Sequence, residues 1–267
     1  MSNQKLVIPQ SEAKKLLSLP TREAEQLFQS YEKEQQLQII HATRNPKQRE
    51  ELYYLVPDCT DLIQESPTED VLQVLDTLLG TGLACGLLPC LSNEQFEEIM
   101  DIAIWRDGKI DEHSLSLWLY ELSECERDDL GRFLGHIDIR ILAGVLKNRV
   151  KLKGSLGAMM IEEGIIDPNS SSIDCKDDQA RAILNAIWEA DDTVFTKLLR
   201  EMFAIDKEGD VDTELATALE KATTERAERV KERDRKAGIQ ITETDLTKQV
   251  DLDSLDLSED EKDNADK

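Results

Sequence analysis

Three glycines at Gly80, Gly82 and Gly86, in the segment LGTGLACGLL, are the closest approach in this sequence to a phosphate-binding loop. Such loops bind phosphate through backbone N–H groups, and they follow a strand and lead to a lysine or a helix. Here no strand is predicted before the glycines, and no lysine or arginine follows them. A sharp turn or close helix packing therefore explains these glycines better than a phosphate site.

Acidic residues around Gly108 and in the segment DKEGDVD at 206–212 suggest calcium-binding loops of the EF-hand type. With Gly108 at the sixth loop position, the first, third and twelfth positions fall on Ala103, Trp105 and Ser114, where oxygen ligands of the right kind are required. The second segment has no register that provides both the glycine and a glutamate at position twelve. The sequence therefore does not predict a calcium site.

The cysteines and histidines lack the CxxC and HxxxH spacings of zinc sites, and no GxSxG motif is present. We therefore predict no catalytic, cofactor-binding or metal-binding residues, and we expect that the protein is not an enzyme. The cysteines are expected to be small apolar residues buried in a reducing compartment. The five cysteines are Cys59, Cys85, Cys90, Cys125 and Cys175, and the three histidines are His41, His113 and His136.

A recurring pattern in the sequence marks the starts of helices, the elements that would position any functional site. It appears in LLSLPTREAEQLF, IQESPTEDVLQVL and LLPCLSNEQFEEIM, where Thr21, Thr68 and Ser92 are predicted N-caps before acidic first turns. A proline or polar residue closes the preceding apolar pair in each copy. The recurrence predicts stacked helical hairpins.

Helical periodicity also dominates the rest of the chain, and strand alternation is nearly absent. Leu115, Trp118, Leu119 and Leu122 follow the i, i+3, i+4, i+7 spacing of one helix face, which predicts a helix starting near Asp111. Similar faces occur at 139–146 and 194–203. The predicted fold class is all-α, as a right-handed helical solenoid or an irregular bundle of short helical hairpins.

Composition shifts divide the chain. Glycines, a proline and a run of serines interrupt the helical pattern at 151–172, and the final residues lack the apolar density to fold alone. The predicted segments are an N-terminal lead-in at 1–15, a helical repeat domain at 16–150, a linker or short hairpin at 151–172, a C-terminal helical unit ending in a charged helix at 173–238, and an acidic disordered tail at 239–267.

The net charge of −24 limits the classes of partner. The tail at 239–267 holds ten acidic residues against three lysines, so the rest of the chain carries −17. Such a surface repels phosphate backbones and anionic headgroups, and we expect no nucleic-acid partner. The sequence has no apolar stretch of signal-peptide or membrane-span length, which predicts a cytoplasmic protein without direct membrane insertion.

The segment IMDIAIWRDGKIDEHSLSLWLYELSE, at 99–124, resembles a bacterial family of unknown function, the DUF family numbered 6178. The resemblance rests on a helix ending in Trp105, a turn at Asp107 and Gly108, and a second helix carrying Trp118. More remotely, the proline-headed helical pairs resemble the cytoplasmic N domain of MgtE magnesium channels and the middle domain of the flagellar motor switch protein FliG. The resemblance implies a helical fold and brings no activity with it.

Trp105 and Trp118 are interpreted as structural anchors, because each indole can bury on the order of 200 Å² and hold one hairpin against the next. The tail contains spaced apolar residues that could dock as a short acidic helix in the groove of a protein partner. These are Leu246, Val250, Leu252, Leu255 and Leu257.

Two functions are compatible with these features. The first is a non-catalytic scaffold or adaptor that binds other proteins, since stacked hairpins create extended surfaces. The alternative is a magnesium-responsive regulatory domain, in which weakly bound Mg²⁺ bridges repelling carboxylates. The identity of the partner, the biological process and the oligomeric state are left open.

The magnesium alternative makes a measurable prediction. Because a ligand that binds only the folded state raises the unfolding midpoint, the thermal midpoint should rise saturably near millimolar magnesium chloride. Potassium chloride at matched ionic strength should not reproduce the rise. A flat response would count against a magnesium-responsive domain.

Overall fold

The computed structural model describes residues 9–203 and 211–237, and α-helices dominate both ranges. The all-α class predicted from the sequence is confirmed. The helices of the described residues are α1 (Pro9–Ser18), α2 (Thr21–Gln29), α3 (Lys33–Ala42), α4 (Pro46–Tyr53), α5 (Thr60–Gln64), α6 (Thr68–Asp76), α7 (Asn93–Ala103), α8 (Glu112–Ser123), α9 (Arg127–Leu134), α10 (Ile139–Lys147), α11 (Gly154–Glu162), α12 (Asp178–Ala190), α13 (Asp192–Phe203) and α14 (Val211–Lys236). Two 3₁₀ turns, Ala84–Gly86 and Leu88–Cys90, precede α7.

Two short strands form a hairpin between α7 and α8. Strand β1 (Trp105–Arg106) pairs antiparallel with β2 (Lys109–Ile110). Asp107 and Gly108 join them with φ values of 51° and 74°. Positive φ at both central residues is what a two-residue type I′ turn requires. The predicted helix ending in Trp105 is therefore wrong by two residues, because α7 ends at Ala103 and Trp105 lies in the hairpin.

The segment predicted as a linker or short hairpin, 151–172, takes a different form. Strand β3 (Val150–Leu152) pairs antiparallel with β4 (Ile173–Cys175), and the two enclose α11. Gly164 ends α11 with φ of 68°, while the N–H groups of Gly164 and Ile165 donate to the carbonyls of Ile161 and Met160. This is a Schellman C-cap, so the glycine that suggested a linker ends a helix.

Helices on both sides of this segment belong to one hydrophobic core. Helix α12 packs against α8 and α9, and α13 packs against α10. The chain divides into two units after Glu225, within α14, and the predicted domain bounds stay a prediction. The described part of the second unit is the end of α14, where Glu232 pairs with Arg235 at 2.7 Å.

Of the three predicted N-caps, one is observed and two lie one residue too late. The Ser92 hydroxyl accepts the Gln95 N–H at 3.1 Å, and the Gln95 side chain accepts the Ser92 N–H, so Ser92 is the N-cap of α7 in a capping box. Thr21 and Thr68 are not N-caps: each is the first residue of its helix. The proline before each threonine takes the cap position, and its carbonyl accepts the first helical N–H groups.

The predicted face of α8 is buried. Its four apolar residues, including Trp118 at 1%, are at most 2% exposed, and Asp111 is the N-cap of the helix. Between α7 and α9, the rings of Phe96 and Phe133 lie 4.3 Å apart at their centroids. These contacts place α7, α8 and α9 around one apolar centre.

Buried polar side chains bind backbone carbonyls at the ends of neighbouring helices. Gln36 donates to the Phe28 carbonyl near the end of α2 at 2.8 Å. Gln95 donates to the carbonyls of Ile63 and Ser66, at 2.9 and 3.2 Å, near the end of α5. Because the last carbonyls of a helix have no intrahelical partner, these amides supply bonds that short helices cannot make for themselves.

Arg49 binds the carbonyl at the end of α3 and a carbonyl in the first turn of α6. Its guanidinium donates to the Thr43 carbonyl at 3.2 Å and to the Asp70 carbonyl at 3.0 Å. It also forms an ion pair with the Asp70 carboxylate at 3.1 Å, and the arginine side chain is almost fully buried. The arginine therefore ties α4 to the elements on both sides of it.

Trp118→Ala should lower the free energy of unfolding by about 3 to 5 kcal/mol, since it empties a large buried volume. Urea denaturation at equilibrium measures the loss. The matched control is Trp188→Ala, at a tryptophan that is 37% exposed, which should cost less than about 1.5 kcal/mol. Equal costs at the two positions would contradict the placement of Trp118 as a core anchor.

Candidate functional site

The two predicted anchors occupy different environments. Trp118 lies in the core on α8, whereas Trp105 is half-buried on β1 and packs against the core from the hairpin. Both positions support an anchoring role, which stays a prediction for each residue. The predicted docking residues of the tail, Leu246, Val250, Leu252, Leu255 and Leu257, lie outside the described residues.

The glycine-rich segment forms a sharp turn that closes on an internal carboxylate. Gly80 and Gly82 have φ values of 79° and 74°, in the left-handed region that favours glycine. The N–H groups of Gly82 and Ala84 donate to the two carboxylate oxygens of Glu121, at 3.0 and 3.2 Å. Because the protein's own carboxylate occupies these amides, they are not available to a phosphate group.

Glu121 was not singled out from the sequence, although it is 0% exposed. Carboxylates are so numerous in this chain that one more acidic residue carries no signal by its type. Its position does carry a signal: Glu121 follows Trp118 by three residues and precedes Leu122, so it lies beside the apolar face of α8. A charge at such a position requires hydrogen-bond donors, and the glycine turn provides them.

A cleft of about 410 Å³ opens between α10 and the first half of α14, beside the start of α8. We call it the α10–α14 cleft. Its lining combines apolar side chains with lysine, glutamate, asparagine and threonine side chains. The lining residues are Lys109, Ile110, Glu112, Ile141, Gly144, Val145, Lys147, Asn148, Ala216, Leu219, Glu220 and Thr223.

Asp111 lies between Ile110 and Glu112, which both line the cleft, and it fixes the junction of the β1–β2 hairpin with α8. This carboxylate accepts the N–H groups of His113 and Ser114, at 3.1 and 3.3 Å, and pairs with Arg106 at 3.4 Å. The hydrogen bond from the Ser114 N–H is the main reason why the pKa of the Asp111 carboxyl is below its usual range. The cap therefore stays ionised at neutral pH and fixes the start of α8 next to Glu112.

The lining of the α10–α14 cleft combines apolar and charged side chains. Ala216 is exposed and Ile110 and Leu219 are half-buried, so these three offer apolar surface, whereas Ile141 and Val145 are only 8% and 6% exposed. The lysines and glutamates lie in the same lining. Apolar pockets with a few polar groups are the usual form of a binding site. The arrangement fits an apolar side chain flanked by charged or hydrogen-bonding groups.

A second hollow, of about 480 Å³, adjoins Trp188 at the end of α12. Its lining is mostly charged and includes Arg127, Glu189, Asp191 and Asp192. The Asp191 carboxylate already accepts the Thr193 and Val194 N–H groups as the cap of α13. This hollow therefore offers a solvated rim with less apolar surface than the α10–α14 cleft.

Among the residues that the structure describes, no three or more histidine, cysteine, aspartate or glutamate side chains are grouped so as to hold a metal ion. The magnesium alternative stays a prediction. In the same residues, none of the helices is both long and apolar enough to cross a membrane.

Comparison with known proteins places the chain in a family. The profile of DUF6178, a family of unknown function, matches residues 25–208, or 184 of the 267 residues, and the chain belongs to this family. No curated protein and no solved structure matches the chain significantly. The remoter resemblance to the MgtE N domain and the FliG middle domain is not confirmed and stays a prediction.

Glu121→Gln should destabilise the fold by about 1 to 3 kcal/mol, because the amide replaces one accepting oxygen with an NH₂ group facing a backbone donor. Chemical denaturation at pH 7 measures the change. Glu124→Gln, at an exposed glutamate of the next turn, is the control and should change stability by less than about 0.5 kcal/mol. A neutral effect at Glu121 would show that the turn does not depend on the carboxylate.

Proposed function

We propose that this protein is a non-catalytic scaffold or adaptor, and that it binds a segment of a partner protein in the α10–α14 cleft. The observation that carries the proposal is the apolar surface open between α10 and α14, with charged groups in the same lining. Solenoids and bundles of short helices commonly use such grooves between helices to hold partner segments.

The apolar surface of the cleft and the negative charge of the whole chain favour a partner segment that is amphipathic and basic. An apolar side chain entering the cleft would contact Ile110, Ala216 and Leu219 and remove their exposed surface from water. Flanking lysine or arginine residues would be attracted by a chain of net charge −24, which raises the association rate. Glu112 and Glu220 in the lining are the nearest acceptors for those cations.

Site-specific photo-crosslinking tests the proposal. A benzophenone amino acid replaces Ala216, which is exposed and lines the cleft, in the full chain expressed in its own cells. The matched control carries the same amino acid at Thr224, which is exposed on the same helix and is not part of the lining. We expect a discrete protein adduct from position 216 that is absent from position 224.

Reconstitution with the purified partner completes the test. Ala216→Trp fills the cleft and should weaken binding at least tenfold, whereas Thr224→Trp should leave the Kd unchanged within about twofold. Isothermal titration calorimetry measures both. Equal adducts at the two positions, adducts at neither, or equal Kd values for the two variants would contradict binding in this cleft.

A further inference from the structure

Two cysteines that are 31 residues apart in the chain lie next to each other in the fold. Cys59 immediately precedes α5, and Cys90 ends the 3₁₀ turn Leu88–Cys90. Their Sγ atoms are 3.7 Å apart, and both thiols are free. A disulfide bond requires about 2.05 Å, so side-chain rotation with a small backbone shift would close the gap.

The backbone around both sulfurs is held in place. The Gln64 side chain donates to the Cys90 carbonyl at 3.2 Å, and Arg132 donates to the Pro89 carbonyl at 2.9 Å. On the other side, the Cys59 carbonyl accepts the Ile63 N–H at 2.9 Å. The thiols are therefore kept close by contacts that do not involve the sulfurs themselves.

The two thiols also differ in a way that favours oxidation. Cys59 is 7% exposed, whereas Cys90 is half-buried and more accessible. Hydrogen bonding from the Cys59 thiol lowers the pKa of Cys90 and raises that of Cys59, and the Thr60 hydroxyl further stabilises the Cys90 thiolate. Since the thiolate is the nucleophile, Cys90 is the sulfur that would react first.

We propose that Cys59 and Cys90 form a reversible oxidation site, at which peroxide converts the two thiols into a disulfide bond. The Cys90 thiolate attacks one oxygen of hydrogen peroxide, the O–O bond breaks, and the released hydroxide is protonated to water. The Cys59 sulfur then attacks the Cys90 sulfenic acid, and its proton leaves with the sulfenic hydroxyl as a second water. Two electrons pass from the sulfurs to one peroxide, and a dithiol reductant reverses the reaction.

The bond would close a loop that contains α5, α6 and the glycine-rich turn. Cross-linking a loop of roughly 30 residues restricts the unfolded chain and stabilises the folded one. Oxidation should therefore raise the thermal midpoint of the full chain by roughly 5–10 °C, and dithiothreitol should reverse the rise.

Mass spectrometry of the wild-type full chain is the direct test. We expect a loss of two mass units after treatment with hydrogen peroxide. Trypsin cannot assign the bond, because no lysine or arginine lies between Arg49 and Arg106 and one peptide carries Cys59, Cys85 and Cys90. Cleavage after Glu65, Glu69 and Glu94 separates Cys59 from the other two thiols, and fragmentation then identifies the linked sulfur.

Four serine variants distinguish this pair from general thiol oxidation. Cys85→Ser and Cys175→Ser should lose two mass units as the wild type does, with the same rise in midpoint. Cys59→Ser should not lose them, and it should retain a Cys90 sulfenic acid that dimedone traps. Cys90→Ser should show neither the loss nor the trapped adduct.

Three results would overturn the proposal. We expect the Cys59–Cys90 disulfide to form at least tenfold faster than Cys175 is oxidised, and the first contrary result is that it forms no faster. The second is a bond between Cys59 and Cys85 in the wild type. The third is addition of oxygen to the wild type without any cross-linked peptide.

Discussion

The ends of short helices are the constraint on which this fold depends. Helices of about ten residues leave a large share of their backbone N–H and C=O groups without intrahelical partners, and such groups cannot be buried unpaired. The core resolves this with side chains from neighbouring helices: Gln36, Arg49, Gln95 and Arg132 donate to carbonyls, and Glu121 accepts amides. Each such bond also fixes the relative position of two elements. Packing between helices and the satisfaction of their ends are thus achieved by the same residues.

Local features of the sequence were sufficient for the fold class and for several elements. The spacing of Leu115, Trp118, Leu119 and Leu122 predicted the buried face of α8, and Ser92 is the predicted cap of α7. The errors at Thr21 and Thr68 are of one residue, because a proline carbonyl can begin a helix without a side-chain cap. These features are local because helical periodicity and capping involve residues within about four positions of each other.

Contacts between distant residues could not be predicted in the same way. Glu121 meets Gly82 across 39 residues, and Cys59 meets Cys90 across 31. Neither pair has a characteristic spacing, and one sequence contains no information on which residues change together. The buried position of Glu121 on α8 was readable from its neighbours, but the partner that it binds depends on how α8 packs against the turn after α6.

The α10–α14 cleft is lined by residues inside the family match and by residues outside it. Lys109, Ile141 and Val145 lie within the residues that match DUF6178, whereas α14 begins at Val211, after the match ends at residue 208. The first wall therefore belongs to the matched family region, and the second is supplied by the mostly charged α14. Because Ala216 and Glu220 lie on that helix, the specificity of a partner at this cleft would depend on residues outside the matched region.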